Sequence, residues 1–388
     1  MELLFWITAC IILYTYIGYG VLLFFLSHLL QWVSPRKQKP GEISIPSLTV
    51  VVTAYNEVDC IEEKIQNTLG LNYPQNKIHF IFVTDGSDDG TEEIVARFPL
   101  IKLLHDPVRR GKISAMHRAM QEITTEIVVF TDANTIINRD ALLQICRHYS
   151  DERTGAVAGE KRIDISHITD AVSGEGIYWQ YESALKKYES ALYSVIGAAG
   201  ELFSIRTALY QPVRSDTIQD DFMISMQIAQ KGYRIRYEPA AYTTEKATVS
   251  IAEERKRRIR IAVGGIQAMI RLPGLLNPFS QPLLWFEYTS HRILRWVIAP
   301  YALVLCFIIN TWLVCQEPVS VTVYLLEYFQ VLFYATALIG WLYQTKELKF
   351  RLFFVPYYFC LMNYGMIEGM VRYLLGRQTV IWEKAARR

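Results

Sequence analysis

The chain has 388 residues, 51% apolar and 13% aromatic, with 20% charged residues and a formal net charge of +2. That length holds more than one folding unit, and that apolar content excludes intrinsic disorder, a collagen-like repeat and a small disulfide scaffold. The near-balanced charge offers no basic surface of the kind nucleic acid needs, so no nucleic-acid partner is expected.

From Leu3 to Leu30 the chain carries no Asp, Glu, Lys or Arg. A helix needs roughly 20 apolar residues to cross a bilayer core, and this run lacks a basic leader and a small-residue cleavage site. Residues 1–32 are therefore expected to be a retained transmembrane anchor. Arg36, Lys37 and Lys39 follow closely. The positive-inside rule then puts the next domain in the cytoplasm, at a bacterial-type inner membrane.

Between residues 45 and 250 the pattern becomes that of a soluble domain. Leu48–Thr53, Ile78–Thr84, Ile101–Leu104 and Glu126–Thr131 are short β-branched or aromatic runs, and Asp59–Leu69 and Lys112–Ile123 read as helices between them. Strands alternating with helices predict an α/β domain with a mostly parallel sheet. Ligands of such sheets bind at the carboxyl ends of the strands. Farther on, Tyr181, Leu185, Tyr188, Leu192 and Val195 recur at helical spacing, as a core-facing helix or one beside an acceptor channel.

Residues 251–292 begin with a helix that is basic early and apolar late, carrying Arg255, Lys256, Arg257, Arg258 and Arg260. That pattern suits a membrane interface. Residues 293–376 return to the membrane, with Trp296–Cys315, Val319–Tyr343 and Phe353–Leu375 as spanning candidates and Lys346, Lys349 and Arg351 marking an inside loop. Pro356, Glu368 and Arg372 interrupt the third. If it crosses, the basic tail at 377–388, with Lys384, Arg387 and Arg388, falls outside, against the charge rule. Either the segment does not cross fully or the tail breaks the rule. The six cysteines are scattered without a CxxC pair, and the seven histidines show no HExxH spacing, so no zinc site is expected.

Polar clusters close the strands in order: Val52-Thr-Ala-Tyr-Asn-Glu57, Val83-Thr-Asp-Gly-Ser-Asp-Asp-Gly-Thr91 and Thr131-Asp-Ala-Asn134. Arg109-Arg-Gly-Lys112 and Gln219-Asp-Asp-Phe222 complete the set. Carboxylates and backbone amides at strand ends can hold a base and ribose, and Arg and Lys answer a diphosphate. An Asp at the next strand end can hold a divalent cation on the phosphates. A separate carboxylate can deprotonate an incoming hydroxyl. These are the requirements of sugar transfer from a nucleotide donor.

The order and wording of these residues resemble the membrane-integrated family 2 glycosyltransferases, the branch that includes hyaluronan, cellulose, chitin and poly-N-acetylglucosamine synthases. The resemblance runs from about Thr49 to Gly265. It implies a GT-A fold in a cytoplasmic domain flanked by transmembrane helices, a nucleotide-sugar donor (usually UDP-linked) for hexosyl transfer and an inverting single displacement. By the same likeness Ala54, Tyr55 and Glu57 line the nucleoside pocket, Asp85 meets the uracil and Lys112 lies near the donor nucleotide. Asp132 matches the first Asp of the metal-binding DxD motif, which implies Mg or Mn; the second is Asn134, an uncharged and weaker oxygen ligand. Asp221 matches the catalytic base, with Asp220 before it, and Gly200 and Glu201 resemble the stretch that meets the acceptor. Arg257 and Arg260 match the (Q/R)xxRW motif of processive polymerases, and Arg260 would face the diphosphate. Ile261 stands where the acceptor-stacking Trp would be.

The expectation is an inverting glycosyltransferase that moves a sugar from a UDP-sugar to a membrane-proximal saccharide or lipid acceptor, in extracellular polysaccharide synthesis. A homo-oligomer or an export partner would fit such a role. One alternative is transfer of a single sugar to a lipid or lipid-linked acceptor. Another is a catalytically weak membrane partner of a second transferase.

Overall fold

In a computed structural model of the chain, residues 1–33, 45–164, 173–246, 251–316, 318–343 and 351–377 are described. The charge markers Arg36, Lys37, Lys39, Lys346, Lys349, Lys384, Arg387 and Arg388 lie outside them.

The central domain is built on an eight-stranded sheet of order β3-β2-β1-β4-β7-β6-β8-β5. Its strands are β1 (Leu48–Ala54), β2 (Ile78–Asp85), β3 (Ile101–Asp106), β4 (Ile127–Asp132), β5 (Ile136–Ile137), β6 (Thr154–Asp164), β7 (Leu202–Arg206) and β8 (Arg234–Lys246). β1 pairs in parallel with both β2 and β4, and β2 with β3. The four carboxyl ends therefore share one edge, where Ala54 is level with Thr84, Thr53 with Asp132 and Asp85 with Asp106. β7 runs antiparallel between β4 and β6, so the sheet is mixed, with β3, β2, β1 and β4 forming a parallel half. Nothing in the local composition of Leu202–Arg206 encodes that direction; it follows from the chain's path.

Alternation along the strands assigns the two faces. Val51, Val83, Val128 and Phe130 enter one apolar core, while Val50, Val52, Phe82 and Val129 enter the other. Flanking helices cover both: α2 (Ile61–Leu69), α3 (Thr91–Ala96), α4 (Lys112–Gln121), α5 (Ala141–Arg147), α6 (Ser173–Leu192) and α7 (Asp220–Gln230). Burial on both sides explains why the parallel strands read as continuous apolar runs.

Among the described residues, three helices are long and apolar enough to cross a membrane: α1 (Glu2–Val33), α9 (Pro282–Val314) and α10 (Val321–Leu342). α8 (Ile251–Arg271) precedes them and α11 (Arg351–Leu374) follows. α11 is not among the three. It packs instead along α8, where a Cβ added to Gly369 would lie 2.4 Å from the Ala262 side chain, so only glycine permits the approach.

α1 is locked to the central domain. Tyr19 and Leu23 of α1 are buried against Leu185 and Leu192 of α6. The Tyr19 hydroxyl donates to Glu189 Oε1 (2.8 Å), and His291 Nδ1 of α9 reaches the same oxygen at 2.6 Å. One carboxylate thus ties α1 and α9 to the central domain.

Candidate active site

The loops after β1 and β2 fold onto each other. Asn56 adopts a left-handed backbone (φ 53°), a conformation Asn tolerates. Its amide donates to Asp88 Oδ1 (2.7 Å), and the Asp88 N–H returns a bond to Asn56 Oδ1 (3.0 Å). The Glu57 N–H donates to Thr91 Oγ1 (3.0 Å), and its carboxylate accepts from Cys60 Sγ (3.2 Å). Ala54 is buried at the end of β1, and the Arg109 guanidinium lies 3.6 Å from the centre of the Tyr55 ring. Gly86, at φ 70°, lets the β2 loop meet Arg109, whose backbone would stand 2.6 Å from an added Cβ.

Asp85 is buried beneath this surface and holds the turn that carries Lys112. Its Oδ2 accepts from the N–H groups of Arg110 (2.9 Å) and Gly111 (2.6 Å), and Oδ1 from Arg118 Nη2 (3.1 Å). Two of these donors belong to the Arg-Gly-Lys turn, which they fix, and the third ties α4 to the same carboxylate. A carboxylate has about four lone-pair positions, so capacity for one further donor is left.

Lys112 opens α4 and reaches across the edge of the sheet. Its Nζ lies 2.7 Å from Asp132 Oδ1 at the end of β4 and 3.7 Å from Asp220 Oδ2 at the start of α7. Burial opposes its charge, but the two carboxylates outweigh that and hold its pKa above the ordinary lysine range. Asp220 is buried, and its Oδ2 accepts no hydrogen bond among the described residues. Beside it, Asp221 is pushed up to about 7 by burial and then by the Asp220 charge, against the pull of Lys112. Gly200 lies against both groups: a Cβ there would be 3.3 Å from Asp221 Oδ2 and 3.5 Å from Lys112 Nζ.

The turn after β4 leaves Asp132 and Asn134 half-buried with Ala133 inward. It is braced from below by Lys64 of α2, which is fully buried and donates to Thr131 Oγ1 (3.0 Å) and the Thr135 carbonyl (2.7 Å). Burial lowers the Lys64 pKa to about 7. Asp132 and Asn134 are hard oxygen donors, the type that suits Mg or Mn. No group of three His, Cys, Asp or Glu side chains suited to a metal occurs among the described residues. Such a pair fits a cation that takes its remaining ligands from phosphates and water, as Mg does.

On the far side, Glu201 pairs with Lys161 (2.6 Å), which also pairs with Glu245. Burial pushes the Glu201 carboxyl up, but Lys161 and Arg257 hold it well below its usual range. The Trp179 ring stands between Lys161 (5.5 Å) and Arg257 (5.3 Å). Arg260 donates to the Ile218 carbonyl (3.1 Å); burial lowers its pKa against the attraction of Asp220, Asp221 and Asp132. Ile261 does not join them. It packs, half-buried, against the main core.

Lys64 and Trp179 were not singled out in the sequence. For Lys64 a signal existed: it occupies the Ile61, Ile65, Thr68 stripe of α2, a charge on a buried face. For Trp179 there was none, since the contact partners come from distant segments.

The fold is an α/β domain of the GT-A kind, accompanied by helices long and apolar enough to cross a membrane. Residues 49–211 match the family model for glycosyl transferase family 2. The chain is similar to the poly-β-1,6-N-acetyl-D-glucosamine synthase of Staphylococcus aureus (strain MSSA476), 26% identical over 265 residues, 65% of this chain and 62% of that protein. It thus spans about three-fifths of that relative's length. The Staphylococcus epidermidis synthase is 27% identical over 305 residues, 75% of this chain and 71% of that one. The fold is similar to that of a mannosyltransferase from Pyrobaculum calidifontis solved with GDP-mannose and Mn²⁺, with a TM-score of 0.66 and 23% identity over 97% of this chain and 100% of that one. Residues 49–211 thus carry a glycosyl transferase family 2 domain.

Proposed function

We propose that the enzyme is an inverting transferase that moves a sugar from a UDP-sugar to an acceptor held at the membrane, for an extracellular polysaccharide. The observation that carries this reading is the convergence of Lys112, Asp132, Asp220 and Asp221, with Asp221 raised to about 7, on the edge where β1, β2 and β4 end.

In this reading the donor's base and ribose occupy the Ala54, Tyr55, Glu57 and Asp85 side, and its diphosphate meets Lys112 and Arg260, with Arg257 beside them. Asp132 and Asn134 would hold a divalent cation, which when bound neutralises charge on the departing diphosphate. The acceptor hydroxyl attacks the anomeric carbon as the bond to the diphosphate breaks, which inverts that centre. Its proton passes to an Asp221 oxygen. A base is most effective when its pKa lies near the working pH, and burial beside Asp220 supplies that. Gly200 leaves room for the acceptor against Asp221, and Glu201 orders the neighbouring wall through Lys161.

Where the (Q/R)xxRW motif has its Trp, Ile261 turns into the core, and we assign the sugar-facing aromatic to Trp179. That same departure at Ile261 favours a second reading, single transfer to a lipid or lipid-linked acceptor.

The catalytic domain, residues 45–250, is proposed to face the cytoplasm beneath the anchor, 1–32. The interface region, 251–292, and the membrane helices, 293–376, follow, with α11 lying along the interface rather than crossing. This arrangement removes the conflict with the positive-inside rule.

Purified protein incubated with radiolabelled UDP- and GDP-sugars, with Mg²⁺, Mn²⁺ or chelator, tests the reading. A high-mass product from one UDP-sugar that disappears in chelator supports it in full. A small, lipid-extractable product selects single transfer, a GDP-sugar as sole donor overturns the UDP assignment, and undiminished turnover in chelator overturns the metal assignment.

A further inference from the structure

Away from the reacting centre, α8, α10 and α11 enclose an open groove of about 650 Å³. Its walls include Arg255 of α8, Leu338 and Trp341 of α10, and Leu361 and Tyr364 of α11. The lining is mostly apolar, and α10 is one of the three helices able to cross a membrane.

The groove has a charged mouth. Arg255 Nη2 lies 2.9 Å from Glu368 Oε2, and Arg372 Nη2 lies 2.7 Å from the other oxygen of the same carboxylate. Two guanidinium groups share one carboxylate, which leaves one positive charge in surplus. The Arg255 side chain is 45% exposed, with the Tyr364 ring 5.5 Å from its guanidinium carbon. Trp341 and Tyr364 supply the amphipathic rings that prefer the headgroup level of a bilayer.

We propose that this groove is a binding site for an anionic phospholipid of the leaflet nearest the catalytic domain. Its phosphate would meet Arg255 and Arg372, and an acyl chain would lie along Leu338 and Leu361. An apolar channel ending in a surplus cation matches that chemistry, because basic groups at the membrane surface attract anionic lipid.

The transferase acceptor is a poorer match. Arg255 lies roughly 140–160° around the helix from Arg257 and Arg260, so the groove opens on the opposite face of α8 from the site. An ordered lipid there would hold α8, and with it the two arginines on its other face. The binding claim itself does not depend on the proposed chemistry.

The test is lipid retention by the full-length protein, purified from mixed micelles of phosphatidylglycerol and phosphatidylcholine with identical chains and weighed by native mass spectrometry. Wild type should retain phosphatidylglycerol at least fivefold over phosphatidylcholine. Arg255→Gln and Arg372→Gln should each abolish that preference, and Leu338→Trp, which fills the groove, should lower retention of both. Should Arg255→Gln fail to fold, Arg372→Gln carries the test. Equal retention of the two lipids by wild type, or an unchanged preference in a folded arginine variant, overturns the proposal. So does equal competition by glycerol phosphate without chains, and a polyprenyl phosphate that displaces phosphatidylglycerol at equal amount would reassign the groove to a lipid acceptor.

Discussion

The Lys112 ammonium lies 2.7 Å from Asp132 Oδ1, and so joins the turn that Asp85 holds to the end of β4. The same nitrogen is 3.7 Å from Asp220 at the head of α7. One side chain therefore connects the Arg-Gly-Lys turn to the carboxylate beside the proposed base. Lys112→Gln should raise the donor KM at least tenfold, which corresponds to about 1.4 kcal/mol of binding. Initial rates across donor concentration check this, and an unchanged KM would remove Lys112 from the diphosphate site.

Because Asp221 is raised to about 7, first by burial and then by Asp220, activity should depend on pH in the neutral range. As a base it must be ionised, so kcat/KM should fall about tenfold per unit below the midpoint and level off above it. Asp220→Asn removes a repelling charge and should move the midpoint toward lower pH. A raised carboxyl has the reverse effect on stability: its contribution is present below about 3.9, the unfolded value, and is lost as pH rises through about 7. Rate profiles of both proteins decide the matter, and identical midpoints would exclude the Asp220 effect.

Lys64 bears on the turn after β4 without reaching its surface. Lys64→Met keeps the volume but leaves the Thr135 carbonyl without its 2.7 Å donor. An unsatisfied buried polar group costs about 1–3 kcal/mol, so denaturant unfolding should show a loss of that size. The variant should also need more divalent cation for half-maximal rate, a change that simple loss of stability would not produce.

Trp179 is proposed as the sugar-facing aromatic. Trp179→Ala should raise the acceptor KM about tenfold or shorten products while donor KM changes less than twofold, and Trp179→Phe should recover most of the loss. If alanine and phenylalanine behave alike, aromatic stacking at this position is excluded.

Much of this was legible before the structure. The continuous apolar runs of β1, β2 and β4 are those of strands buried on both faces, and the polar residues that end them gather on one edge because parallel strands align their carboxyl ends. Less legible was the use of each group. Asp85 and Lys112 lie far apart in sequence, and only the fold shows that Asp85 grips the backbone before Lys112. The antiparallel course of β7 depends on a long excursion rather than on local pattern. Ile261 follows Arg260 directly, yet one residue is about 100° of helix, enough to send one side chain toward the carboxylates and the other into the core.

The central claim is that Asp221 accepts the acceptor's proton. The most direct measurement compares nucleotide release and donor affinity in wild type and Asp221→Asn, which preserves shape and removes the base. A positioned general base contributes typically 10²–10⁴-fold, so the rate should fall by about that factor while the donor Kd stays within about threefold. A variant that retains more than a tenth of the wild-type rate, with donor affinity unchanged, would contradict the assignment.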